Sequence, residues 1–479
     1  MSQRTTRRDV LRRTGAASGI GAFALAGCLG NEDENGDENG GENGGENGGE
    51  NGDENGGENG GEAEGTVDIG VLQPLTGDLE YYGQQSLWGF LSGLGYKLDK
   101  DPLDVDTAGQ QTIEAGDVTY ELHIENTVFD PGEAQSLAED LVLDQEVDLL
   151  FGTTNSGSAR RVINSVVEQT DTPFIAGPAA AADVTSDGEL CSDLVFRASE
   201  NTAMDARSGG RYVATETDTE KVYIIAADYS FGRAVASNYR SVLESEGVEV
   251  VGEDYVPRGT SEFEDFYRNA VEADADAIIG GFTVVTLPAF LTEGLSGDYD
   301  LRMFGGFATL ITNQAIGAVV ESTIGEDFTE QDLRDAQLGP FTTRYHWNQY
   351  DNEINDWFVE NYSNTYGTVP DLFTSGTFTA ASSIVQAVEE SGSTDGADIA
   401  DAMTGMTVQD TPKGEGGYAY QEYNNQARSD MTIAYPSPTQ DEWADFWPSS
   451  VQPSEPVDTV SMDETTIPVD ADEMECDFR

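Results

Sequence analysis

Residues 221–228 read KVYIIAAD, a short apolar run with β-branched side chains closed by an acid. That pattern is a strand. A helix is expected after it, from about 231 to 246. Further strands follow at Val248–Tyr255, Ala277–Phe282 and Leu301–Phe307, with helices near 262–273 and 286–296 between them. The half of the chain before it repeats the alternation. Val67–Leu72 is another β-branched run, ending at Pro74, and more follow at Tyr120–Asn126, Val147–Gly152 and Pro173–Gly177. Helix-length amphipathic segments lie between them, near 84–95, 132–145 and 158–170. Strands alternating with helices are βαβ units, which build mostly parallel sheets. Two such series, linked by residues 194–199, are the length of two similar lobes.

Helices are expected near 352–366 and 374–391, and Gly416–Tyr435 alternates like strands broken by turns. Ligands of open α/β sheets sit beyond the carboxyl ends of the strands, so two sheets facing each other make a cleft.

Several stretches, in order, resemble one family. IGVLQPLTGDLEYYG (69–83) is similar to the opening of type I periplasmic binding proteins of the branched-chain amino acid and amide class. FGTTNSGSARRVI (151–163), PFIAGPAAAADVT (173–185) and VYIIAADYSFGRAV (222–235) resemble their next three signatures. ADAIIGGF (275–282), MFGGF (303–307), the helical region 364–393 and TPKGEGGYAY (411–420) complete the series. No single motif is very specific; eight in order are strong.

The resemblance implies two Rossmann-like lobes with parallel central sheets, joined by three hinge crossings and closing on a small ligand. It places the first lobe at 66–198 and 308–410, the second at 199–307 and 411–450, and leaves 451–479 as an acidic tail. It implies a small-molecule solute as ligand and the permease and ATPase subunits of an ABC importer as partners. An exported sensor of the same fold, signalling to a membrane partner, is the alternative.

The resemblance also nominates site residues. Ser156, in a turn before a helix expected from Ser158, would hold a carboxylate or carbonyl oxygen beside free helix N–H groups, or else simply cap the helix. Ala179 and Ala181 would offer backbone groups to the same end of the ligand, although Ala181 lacks the hydroxyl that amino acid binders often carry there. Tyr82 and Phe231, each before a glycine, would form aromatic walls. Phe282 and Phe307 stand where amino acid binders often have a tyrosine and an acid. A buried ammonium without a carboxylate is very costly. Four aromatics therefore point to a neutral or anionic ligand with an apolar body, with Asp228 or Tyr229 as substitutes if a polar partner is needed.

The first 65 residues read independently. Residues 4–13 carry five arginines and one acid, and 14–27 are small and apolar. This is an export signal too short to span a membrane. Arg7-Arg8 resembles a twin-arginine signal. Leu25-Ala26-Gly27-Cys28 looks like a lipobox, which makes Cys28 the lipidated residue and the route to the membrane. Residues 31–62 hold 12 Gly, 8 Asn and 12 acids and nothing apolar, a composition that stays disordered and serves as a tether. The protein is expected at the outer face of the cytoplasmic membrane.

Composition excludes other classes. The chain has 90 acids against 23 bases. Its only lysines are Lys97, Lys100, Lys221 and Lys413. Self-repulsion on that scale is relieved by multimolar salt, as in halophilic proteins. There is no basic patch for nucleic acid. With Cys28 assigned, Cys191 and Cys476 are left to form a disulfide or stand as two thiols. His123 and His346 are far apart, and no acidic ligand loop is present, so no metal is expected. No nucleophile elbow or metalloprotease helix occurs, so neither an enzyme nor a cofactor is expected.

Overall fold

The computed structural model describes residues 63–306 and 309–479. The signal, the lipobox with Cys28 and the linker through residue 62 lie outside the described residues, and so does Phe307, while Gly65, the expected end of the linker at 29–65, already opens a strand. Two sheets carry the body. The first contains β1 (Gly65–Gln73), β2 (Gly109–Ala115), β3 (Val118–Asn126), β4 (Leu149–Gly152), β5 (Phe174–Ala176) and β6 (Val195–Phe196), ordered β2-β3-β1-β4-β5-β6. It is parallel except for the β2–β3 hairpin at its edge. The second is built on parallel β7 (Lys221–Ala227), β8 (Glu249–Val256), β9 (Ala277–Gly281), β10 (Arg302–Gly306) and β11 (Leu338–Thr342), ordered β11-β10-β9-β7-β8.

Later strands are antiparallel. β12 (Thr407–Val408), β13 (Tyr418–Tyr420) and β14 (Ala427–Ser429) form a small sheet of their own. β15 (Met431–Ala434) pairs with β11, and β16 (Pro436–Pro438) pairs with β17 (Val451–Pro453). β18 (Asp458–Val460) then closes the edge of the second sheet against β15.

Helices cover both faces of both sheets, which is why the strands read as apolar runs. Val67, Ile69 and Val71 of β1 face Leu87, Phe90 and Leu94 of the helix Glu80–Lys97 and Ile384 and Val388 of the helix Thr374–Ser391. On the other face Leu72, Leu150 and Phe174 meet Ala138 and Leu141 of Pro131–Leu143 and Val162 and Val166 of the helical stretch 156–170. In the second sheet Val222, Ile224 and Ala226 pack on Val235, Tyr239 and Leu243 of the helix Ser230–Ser245. Tyr223, Ile225 and Ile278 pack on Tyr267, Phe290 and Ile316 from the opposite layer. No helix among the described residues is long and apolar enough to cross a membrane.

Before its final return at 461–479, the chain passes between the sheets three times, and two of these passages differ from the expected boundaries. The first follows β6, at 197–201. The second comes after Thr342, not at 307, because the helix Leu310–Thr323 and β11 pack on the second sheet. The third lies between Ser429 and Met431, not at 411, because Tyr418, Tyr420 and Ala427 belong to the core of the first lobe. The expected tail is also structured. β18 joins the second sheet, and residues 461–479 fold back over the first lobe. Gln421 Nε2 donates to Thr466 Oγ1 at 2.9 Å, and the Glu475 N–H donates to the Ser186 carbonyl at 2.9 Å. Cys191 and Cys476 form a disulfide with their Cα atoms 5.0 Å apart. The same segment meets the second lobe, where the Ser241 hydroxyl donates to Glu473.

Candidate ligand-binding cleft

A cleft of about 820 Å³, its open mouth included, lies at the carboxyl ends of both sheets. Thr154, Asn155 and Ser156 follow β4, and Pro178 and Ala180 follow β5, on one wall. Tyr229 and Phe231 follow β7, Phe282 and Thr283 follow β9, and Gly306 ends β10, on the other. Leu372 and Phe373 close one side.

The aromatic walls are placed by glycines. A Cβ on Gly83 would lie 1.9 Å from the Pro74 carbonyl oxygen, and one on Gly232 would lie 2.0 Å from that of Ala227. Each helix therefore starts hard against the strand end before it, and the preceding residue, Tyr82 or Phe231, is turned into the cleft. The Tyr82 ring meets Phe373 edge-on at 5.1 Å, and its hydroxyl accepts from the Val284 N–H at 3.2 Å, which ties the two lobes together. Phe282 is fixed by Phe263 at 5.5 Å and Phe290 at 5.2 Å. At the mouth the Arg258 guanidinium lies 5.4 Å from the Phe129 ring centroid, again lobe to lobe.

The Ser156 turn divides its work differently from the expectation. Asn155 caps the helix, its side chain accepting from the Gly157 N–H, and the helix begins at Ser156 itself. Ser156 Oγ lines the cleft and accepts from the Ala181 N–H at 3.1 Å, which orients the hydroxyl and leaves it a donor. Ala179 and Ala181 do not line the cleft; Ala180 does. Their backbone groups are already engaged. The Ala179 N–H donates to the Thr153 carbonyl, and both alanine carbonyls accept from Arg197 Nη1, at 3.0 and 2.6 Å. Arg197 is fully buried and faces carbonyls, Thr185 and Gln426 instead of a carboxylate, and burial pulls its guanidinium down to about 9.

Two buried ion pairs stand at the crossings. Asp205 and Arg344 both line the cleft, with side chains 7% and 6% exposed. Arg344 Nε donates to Asp205 Oδ1 at 2.8 Å and Nη2 to Oδ2 at 2.5 Å, and Nη1 donates to the Glu200 carbonyl at 3.1 Å. Behind the cleft, Lys413 Nζ lies 2.7 Å from Glu200 Oε1 and also donates to Ser429 Oγ and the Asp430 carbonyl. Burial pushes the Glu200 carboxyl up, but Lys413 and the Tyr418 hydroxyl overrule it and hold the group below the ordinary range. One network thus joins all three crossings. Asp371 anchors the Leu372–Phe373 wall, accepting from the Leu310 N–H at 2.8 Å and the Tyr81 hydroxyl at 3.2 Å. Its burial pushes the carboxyl up to about 7.

A family model described as periplasmic binding protein matches residues 66–440. The chain belongs to the periplasmic binding protein family. This periplasmic binding protein is 24% identical over 347 residues to a Leu/Ile/Val-binding protein homolog of Brucella abortus, covering 71% of this chain and 80% of the relative. Its fold is similar to an ABC-type branched-chain amino acid transporter protein of Rhodopseudomonas palustris, with a TM-score of 0.64, 24% identity, and coverage of 84% of this chain and 99% of the other. It is also similar to a solute binding protein of an ABC transporter from the same species, in complex with 3,4-dihydroxybenzoic acid. There the TM-score is 0.63 at 18% identity, covering 83% and 98%.

Within this periplasmic binding protein, the structure gathers Tyr82, Ser156, Phe231 and Phe282 around one cleft. Tyr229 joins them, while the Asp228 carboxylate faces the mouth and pairs with Arg233. Sequence reasoning missed Asp205, Arg344, Phe129 and Phe373. None of the four left a distinctive mark in the sequence. Away from the cleft, Asp68, Glu121 and His123 gather on the first sheet, where His123 Nε2 is 3.0 Å from Asp68 Oδ1 and Gln110 donates to Glu121.

Proposed function

We propose that this protein is an exported, lipid-anchored receptor that captures a small solute in its interlobe cleft and hands it to the permease and ATPase of an ABC importer. The observation that carries this reading is an aromatic-walled cleft in which the charged residues inside the mouth, among those described, are Asp205 and Arg344, and these neutralise each other. An unbalanced ammonium has no partner there, so the favoured solute is a carboxylate or an amide with an apolar body. The solute named with one structural neighbour, an aromatic carboxylate, is of that class. A free amino acid, suggested by the Leu/Ile/Val-binding names of the curated relatives, is the competing class. The tether upstream of β1 and a lipid on Cys28 would keep the receptor at a high effective concentration beside its transporter.

The test is thermal unfolding of the purified protein in multimolar salt against amino acids, short amides and urea, aliphatic acids and aromatic acids. A true ligand at 100 times its dissociation constant stabilises by about 2.7 kcal/mol. Acids or amides are expected to raise the midpoint and amino acids to leave it in place; a shift with leucine alone would overturn the solute class. Cys28→Ala is expected to release the protein from the membrane fraction, and retention there would remove the anchor.

A further inference from the structure

The floor of the cleft is polar although its walls are aromatic. Tyr239 reaches it from the helix Ser230–Ser245, beside Asp205, Arg344 and Gly306. Tyr239 is 1% exposed, and its hydroxyl makes no hydrogen bond of good geometry among the described residues, the Thr342 hydroxyl being a loose neighbour. The Thr342 hydroxyl close by is already engaged, accepting from the Gly209 N–H and donating to the Asp205 carbonyl, both at 3.1 Å. Three of the five Arg344 N–H groups meet Asp205 and the Glu200 carbonyl, which leaves two without a partner among the described residues. There is room here as well. Among the described residues, chain neighbours aside, the one atom within 4 Å of a Cβ on Gly306 would be Asp205 Oδ2, at 3.9 Å. Buried hydroxyls are normally bonded, so an unbonded one in the wall of a cavity marks a place where an incoming group completes the bonding.

We infer that Tyr239, Asp205 and Arg344 form a second polar subsite that takes a neutral hydroxyl at the end of the ligand remote from its carboxylate or amide head. The subsite rests on the reading of the cleft as a solute site. Its charge balance sets the class. An ammonium would meet Arg344 and a second carboxylate would meet Asp205, each at close range in a desolvated floor. A hydroxyl meets neither penalty. It accepts from Arg344 or Tyr239 and donates to Asp205 or to the tyrosine oxygen. Sites built this way reject the analogue lacking the hydroxyl, because the buried groups are then left unbonded.

The experiment is calorimetric binding to the purified full chain in multimolar salt, with two matched pairs of probes: benzoate with 4-hydroxybenzoate, and 3-phenylpropionate with 3-(4-hydroxyphenyl)propionate. In at least one pair the hydroxylated member is expected to bind about tenfold tighter or better. Tyr239→Phe is expected to bring that ratio down to near one. Gly306→Ala, which fills the space beside Asp205, is expected to reduce it too and serves if the tyrosine variant does not fold. Equal binding of both members overturns the subsite and leaves the solute reading standing. A preference that survives both variants also overturns it. If no member of either pair binds, the proposed solute class falls and the subsite falls with it.

Discussion

A methyl group at Gly232 would have to occupy a point 2.0 Å from the Ala227 carbonyl oxygen, so the helix and the strand end cannot both keep their places. Gly232→Ala is therefore expected to cost about 1–3 kcal/mol in chemical denaturation, with an unchanged m-value, and to weaken ligand binding by displacing Phe231. Asp371 carries a pH dependence. Its folded carboxyl, pushed up to about 7, binds a proton more tightly than the unfolded one. It therefore contributes stability below about pH 4 that is lost as pH rises through about 7. Melting of the wild type beside Asp371→Asn is expected to show the wild type losing ground between about pH 4 and 7 and no further above that; a constant gap would show that the carboxyl titrates normally. Tyr82 and Phe231 were legible because an aromatic before glycine stands at the start of a helix after a strand. Asp205 and Arg344 were not, because two ordinary charged residues 139 positions apart become a site only when the crossings bring them together.

The long alternating elements were readable and the irregular ones were not. The strands on either side of the KVYIIAAD run and the helices between them stand within a few residues of expectation, because burial on both faces leaves an unbroken apolar mark. β2 was missed although its hairpin signal is present: Gly116-Asp117 is a two-residue turn, with Gly116 at φ 64°. β11 reads LGPFT, whose glycine and proline hide a strand, so nothing in the residues corrected the second crossing, which the resemblance put some 35 residues early. The crossings themselves hold the most concentrated buried charge. Lys413→Met would leave Glu200 buried without its cation, and is expected to cost about 3–5 kcal/mol in thermal or denaturant unfolding. Adding Glu200→Gln is expected to recover part of that loss; if the single change is neutral, the pair is not what joins the first and third crossings.

Across the whole molecule the surface is governed by 90 acids set against 23 bases. Screening shortens from about 10 Å at 0.1 M salt to about 3 Å at 1 M. The unfolding midpoint is expected to climb throughout that interval, and a flat or falling profile would show that repulsion does not limit stability. The general placement of two lobes and a cleft followed from the sequence, since it depends only on repeated βαβ units. The embrace of the C-terminal segment did not, since a polar stretch gains its structure from what it lies against. The Cys191–Cys476 bond closes a covalent ring through a sequence separation of 285 residues, which takes in the entire second sheet and every return to the first. A protease that nicks any exposed loop within that ring leaves a molecule still in one piece, and the damage surfaces as two fragments only once a reductant is present.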